Sequence, residues 1–356
     1  MRPNETLLYA ATSANLYNFT GDSDFTSHLE LFRTILGNSS QAFRDLFNFT
    51  IDEVSVLDEE RILENLHSSS RIFISFHTGS YYALPAWLMK HGHDVIVMSD
   101  TQSVNSGEFA DVAEIYRKRY NNNCNLELIN VEQQGAIFKL IKRIKAGAIV
   151  IGYIDGNKGV GGQTMHNENM LTLDFLRGKV KVRKGVVYLS SITGVPIQLA
   201  LSHQEGEQIY LQCCGASFHP GKEDREVFAN SVLQQILTQF GDHVLKYSSQ
   251  WANWPYVHNW SLIDAFTAST VNTSHSVNIN ERWKLDLSRC CPLKLEGRHF
   301  VFDRSRYSLF PLEDKYLSLF SYKTSPEEKI QVAAQIINED QDMAAELVSR
   351  QVLAPL

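Results

Sequence analysis

Arg71-Ile72-Phe73-Ile74-Ser75-Phe76-His77-Thr78-Gly79-Ser80-Tyr81-Tyr82-Ala83-Leu84-Pro85-Ala86-Trp87 is the stretch from which the fold reads outward. Arg71 to Phe76 is a short apolar run, rich in aromatic and β-branched residues as a buried strand requires, and it stops where His77-Thr78-Gly79-Ser80 begins. Beyond the glycine, Tyr81, Leu84 and Leu88 recur at helical spacing, which places a helix start near Ser80, a residue type suited to an N-cap. A histidine on such a strand-to-helix turn lies outside the carboxyl end of a strand, where open α/β sheets bind their ligands. His77 is therefore the first candidate for a catalytic base, weighed against the solvated or locally bonded roles that most of the twelve histidines in the chain fill.

The same alternation continues downstream. Asp94 to Ser99 reads as a second buried strand, 111–120 as an amphipathic helix, Leu126 to Asn130 as a third strand, 135–145 as a basic amphipathic helix and 148–154 as a fourth strand. A helix at 184–194, strands at 195–201 and 208–213 and a helix at 225–240 follow. This pattern predicts an α/β fold, a mostly parallel sheet flanked by helices. Residues 1–68 read as a helical region packing on that core, with helical spacing from Asn15 to Leu66 and a last helix at 58–64. Asp155 resembles His77 in position, at the end of a buried strand and before a glycine, so the two ionisable groups are expected to share one crevice.

Composition bounds the function. A hydrophobic content of 44% with 21% charged residues is that of a globular chain, and a net charge of -7 argues against a general nucleic-acid binder. No charged segment followed by an apolar run opens the sequence, and no window is apolar for the length of a membrane span, so no transmembrane segment and a cytoplasmic location are expected. Cys124, Cys213, Cys214, Cys290 and Cys291 suit reduced thiols, and adjacent cysteines on a strand point to opposite faces, so no metal is expected there. Among Arg177, Lys179, Lys181, Arg183 and Lys184, the alternating lysines read as an exposed strand face, while the arginines are candidates for holding an anionic part of a substrate. Trp251-Ala252-Asn253-Trp254-Pro255-Tyr256-Val257-His258-Asn259-Trp260 reads as a cap on the core.

Taken in order, His77-Thr78-Gly79-Ser80-Tyr81-Tyr82, Asp155-Gly156, Phe175-Leu176-Arg177-Gly178, Arg183-Lys184-Gly185, Thr193-Gly194-Val195-Pro196 and the closing aromatic segment resemble the lysophospholipid acyltransferase-like superfamily, in its lipid A lauroyl and myristoyl acyltransferase branch. The resemblance covers residues 69–262. It implies a histidine that deprotonates an acceptor hydroxyl or amine, a thioester donor carried by acyl carrier protein or coenzyme A, no bound cofactor, and a carboxylate five residues after the histidine that orients it. Here that fifth position is Tyr82. Asp155 could supply the acid from another strand, His77 could act with weaker support, or the fold could have kept only binding of a peptide or carrier. Of these we favour Asp155, with Thr78, Gly79, Ser80, Tyr81, Tyr82, Arg177 and Arg183 as substrate-side candidates and the amides near Thr78 and Gly79 as candidates for an oxyanion.

The branch resembled usually carries a membrane anchor, so a soluble acceptor is expected here: a peptide, a carrier-bound intermediate or a metabolite. A polar linker at 263–284 precedes residues 285–356, where two alternating runs joined by a turn at 303–306 precede helices at 313–320, 326–337 and 342–352. Ser325, Pro326 and Glu328 form a capping-box signature. The hairpin with three helices is similar to a small winged-helix domain of the peptide-recognition kind, which makes a precursor peptide a candidate partner; a packing extension of the first domain is the competing reading.

Overall fold

The computed structural model describes residues 3–66, 71–107, 109, 111–156, 169–263, 282–285, 288–312, 325–350 and 352–355. Residues 264–281 of the expected linker and the helix expected at 313–320 lie outside the described residues. In chain order the elements are α1 (Pro3–Thr20), α2 (Phe25–Phe47), β1 (Ser55–Leu57), β2 (Ile72–Ser75), α3 (Ala83–Lys90), β3 (Asp94–Ser99), α4 (Thr101–Ser106), α5 (Val112–Tyr120) and β4 (Asn125–Asn130). Then come α6 (Ala136–Lys145), β5 (Ile149–Tyr153), β6 (Met170–Phe175), β7 (Gly178–Arg183), α7 (Gly185–Thr193), β8 (Ile197–Glu205), β9 (Gln208–Phe218) and α8 (Arg225–Lys246). The chain closes with β10 (Trp283–Leu285), β11 (Cys290–Leu295), β12 (Arg298–Asp303), β13 (Ser308–Pro311), α9 (Pro326–Glu339), α10 (Gln341–Ser349) and β14 (Leu353–Pro355). Two compact units result, one of Met1–Phe32 with Leu262–Leu356 and one of Arg33–Ser261.

The larger unit holds a seven-stranded sheet in the order β1-β9-β8-β2-β5-β3-β4. From β8 to β4 the strands are parallel, while β9 runs antiparallel to β8 and carries β1 alongside it. Every residue of β2 is buried, which is what a parallel strand covered on both faces demands. On one side Phe73, Val95, Ile149, Ile151 and Ala200 pack with Leu84, Leu88 and Met89 of α3 and Val112 and Tyr116 of α5. At the end of β2, Phe76 stacks on Phe240 of α8 with ring centroids 3.6 Å apart.

Two local readings change. The helix expected at 58–64 is a set of turns: the Asp58 carboxylate accepts the amides of Ile62 and Leu63 at 2.8 and 2.6 Å, and Arg61 adopts φ 52°, which a helix cannot continue through. Helix α3 starts at Ala83 and not near Ser80, because Gly79 (φ 57°) and the Ala83 amide bond to the Ser80 carbonyl form a turn first.

In the smaller unit β11, β12 and β13 form an antiparallel sheet, and β10 pairs with β14. The first of the two alternating runs read there is itself a hairpin, since Glu296 (φ 50°) and Gly297 (φ 83°) turn the chain between β11 and β12. The capping box is present: Ser325 Oγ accepts the Glu328 amide at 3.2 Å, and Glu328 Oε2 accepts the Ser325 amide at 2.6 Å.

Among the described glycines, Gly79 in the turn after β2 has the closest neighbours. A Cβ on Gly79 would lie 2.6 Å from the Ser202 carbonyl oxygen and 2.8 Å from His203 Cα, both backbone atoms that cannot swing aside. Left-handed strain and overpacking then add, so Gly79→Ala should cost on the order of 2–5 kcal/mol of stability. Urea unfolding of the variant beside the wild type checks this, and a loss under about 1 kcal/mol would show that the turn can relax.

Candidate active site

Strands β2 and β5 are adjacent and parallel, with Ser75 opposite Tyr153. His77 and Asp155 each stand two residues further on, so the register brings them level at the carboxyl edge of the sheet. There His77 Nδ1 donates to Asp155 Oδ1 at 2.8 Å, and the His77 backbone amide donates to Oδ2 at 2.9 Å. With Nδ1 occupied in this way, the other ring nitrogen, Nε2, is left as the acceptor.

The carboxylate is sealed and the imidazole is open: the Asp155 side chain has 0% exposure and that of His77 has 29%. A buried carboxylate persists only if both oxygens are bonded. Trp251 supplies the third donor, its indole Nε1–H reaching Oδ2 at 2.8 Å, and Asn253 Nδ2 donates to the Asp155 carbonyl at 2.7 Å. Burial alone would raise the Asp155 carboxyl; the imidazole of His77, the Trp251 N–H and the His77 amide outweigh it and hold the group below the usual carboxylate range.

His77 opens onto a cavity of about 690 Å³. Its lining is largely apolar, including Pro85, Met89, Val97, Leu128, Leu140 and Leu189, and it also contains Tyr82, Tyr153, Arg183 and Asn253. The imidazole is flanked by Tyr81 and Tyr153, with ring centroids 5.0 and 4.7 Å away. Tyr153 donates its hydroxyl proton to the Tyr81 carbonyl at 2.7 Å, and burial raises its phenol.

Not every candidate from the sequence meets at this point. Tyr82 and Arg183 line the cavity, whereas Thr78, Gly79, Ser80, Tyr81 and Arg177 are not among its lining residues. Arg177 is exposed in the two-residue turn that joins β6 to β7, where Phe175 pairs with Gly178. The amides proposed for an oxyanion are committed elsewhere: Thr78 N–H donates to the Phe76 carbonyl at 2.8 Å and Gly79 N–H to the Gln250 carbonyl at 3.0 Å. Ser80 is buried. Lys179 and Lys184 pair with Asp174 and Glu226. The segment that begins at Trp251 reads in the sequence as a cap on the core; its place beside Asp155 was signalled there by no more than the density of indole and amide groups and the segment's part in the family resemblance.

Comparison with known proteins adds a loose likeness. No family model matches this chain, and no curated protein matches it. Among solved structures, the 1-acyl-sn-glycerophosphate (LPA) acyltransferase PlsC from Thermotoga maritima is similar at 14% identity, over 68% of this chain and 99% of that one, with a TM-score of 0.32. The chemistry of the site therefore has to be read from its own atoms. Among the described residues no helix is long and apolar enough to cross a membrane.

Behind the turn, His243 Nε2 lies 3.4 Å from Thr78 Oγ1, and burial pushes its imidazole down from 6.5 to about 3. Native His243 thus stays neutral across a range in which the unfolded chain takes up a proton, so stability is full above pH 6.5 and falls as the pH drops from there toward 3. Each such group contributes a slope of about 1.4 kcal/mol per pH unit. Urea titrations followed by tryptophan fluorescence between pH 4 and 7 should show His243→Gln flattening this dependence by roughly one proton; an unchanged slope would mean that His243 is protonated in the native fold.

Proposed function

We propose that this protein is an acyltransferase that moves an acyl group from a thioester to a hydroxyl or amine. The observation that carries the reading is the His77–Asp155 pair, with the acid sealed in protein and the base opening into an apolar cavity. Asp155 stands in for the acid that the sequence resemblance expects at the position of Tyr82, and it does so from the neighbouring strand.

In this reading His77 Nε2 takes the proton of the acceptor as its oxygen or nitrogen attacks the thioester carbonyl. The C–S bond then breaks, the proton passes from the imidazolium to the departing thiolate, and the acyl group leaves on the acceptor as an ester or amide. Asp155 fixes the Nδ1–H tautomer and stabilises the cation formed midway. The apolar lining suits a hydrocarbon acyl group, since pockets of about 300–1,000 Å³ are the usual size for small ligands. Tyr82 and Arg183 are among its polar contacts, beside Ser99, Asp100, Tyr153 and Asn253, and Arg183 is the cation for an anionic portion of donor or acceptor. The donor is acyl carrier protein or coenzyme A thioester, and the acceptor is a peptide, a carrier-bound intermediate or a small metabolite.

Mass spectrometry after incubation with acyl thioesters of graded length and candidate acceptors tests this. Wild type should add one acyl mass to an acceptor, and His77→Ala should slow that step on the order of 10²–10⁴-fold. Full activity in the variant would remove His77 as the base, and saturable binding without turnover would favour a protein that presents its ligand to a partner enzyme.

A further inference from the structure

Trp251 has enough packing to explain its presence. It is wholly buried, with Phe175, Phe240, Trp254 and Trp260 around it at ring-centroid distances of 5.7, 5.2, 4.8 and 6.2 Å. Packing does not explain where its N–H points. A buried indole needs one acceptor, and a backbone carbonyl is sufficient; neighbouring Trp254, equally buried, uses the Ser248 carbonyl at 2.9 Å. Trp251 instead donates to the carboxylate that holds the histidine.

The backbone of Trp251 is tied to the same place. Residues Thr78 and Trp251 form an antiparallel bridge, the Ala252 amide donates to the His77 carbonyl at 2.9 Å, and the Gly79 amide donates to the Gln250 carbonyl. One residue is thus fixed by its backbone to the turn that carries the base and by its ring to the acid that orients the base. Two residues on, Asn253 anchors the Asp155 backbone through its carbonyl. A carboxylate rotates readily about its terminal torsion, and the indole, together with the His77 amide, holds Oδ2 so that Oδ1 stays on His77 Nδ1.

We propose that Trp251 is a positioning residue of the His77–Asp155 pair, its indole N–H clamping Oδ2 so that Oδ1 stays aimed at the imidazole. This rests on the reading of His77 as the base. Hydrogen bonds to a charged group are strong enough that losing one should slow turnover about ten- to hundredfold. The loss belongs in kcat, with KM nearly unchanged, because Trp251 is wholly buried and does not line the cavity.

The test compares Trp251→Phe with Trp254→Phe, which removes a hydrogen bond of the structural kind from the same cluster. Two readouts are needed: kcat and KM for acyl transfer, and proton NMR of the His77 Nδ1–H and the Trp251 indole N–H. In Trp251→Phe, kcat should fall ten- to hundredfold relative to Trp254→Phe and the His77 Nδ1–H signal should broaden by faster exchange. In Asp155→Asn, the Trp251 indole signal should move. If Trp251→Phe does not fold, benzothienylalanine at position 251 keeps the ring and removes only the N–H. If no thioester is turned over, the proposed reaction fails, while the NMR arms still decide the role of Trp251. Retention of kcat and of a sharp Nδ1–H signal in Trp251→Phe, or an indole signal indifferent to Asp155→Asn, would overturn the proposal.

Discussion

A carboxylate with no exposure to water is the constraint on which the site depends. Asp155 is ionised in a place where ionisation is penalised, and it stays so only because donors from two other parts of the chain reach both its oxygens. Removing one donor leaves a buried charge short of a partner, while replacing the acid leaves the imidazole without orientation. Such a group is a costly way to hold a fold together and an effective way to hold a histidine in one tautomer.

The fold supplies what that constraint needs. Parallel pairing of β2 with β5 sets His77 and Asp155 level, the glycine turn lets the chain pass close beneath Ser202 and His203, and the segment from Gln250 to Asn253 closes over the pair from behind. The cavity lies on the open side, lined by side chains from α3, α6 and α7 and by the ends of the central strands. Site and chain topology are thereby coupled: the histidine stands where its strand stops, and the carboxylate stands where the neighbouring strand stops.

Much of this was legible in the sequence because it rests on short-range pattern. Continuous apolar runs marked the buried strands, helical spacing marked the helices, and a polar residue followed by glycine after each of two strands marked His77 and Asp155. What escaped was of two kinds. Local conformations set by positive φ, at Arg61 and at Glu296 with Gly297, do not disturb the hydrophobic period and so left no trace in it. Partnerships between distant segments were hidden as well, since nothing in an aromatic run tells whether an indole N–H will meet a carbonyl or a carboxylate 96 residues away. The amides of Thr78 and Gly79 belong to the same class, being taken up by Phe76 and Gln250.

The central claim is that His77 and Asp155 act as one unit, and a double-mutant cycle on acyl transfer measures that unit directly. Rates are compared for wild type, His77→Ala, Asp155→Asn and the double variant under one set of conditions. The account predicts strong non-additivity, with the double variant no slower than His77→Ala alone, because an acid that works only through the imidazole has nothing left to orient. Losses that multiply across the two substitutions would contradict it and would give Asp155 a separate task.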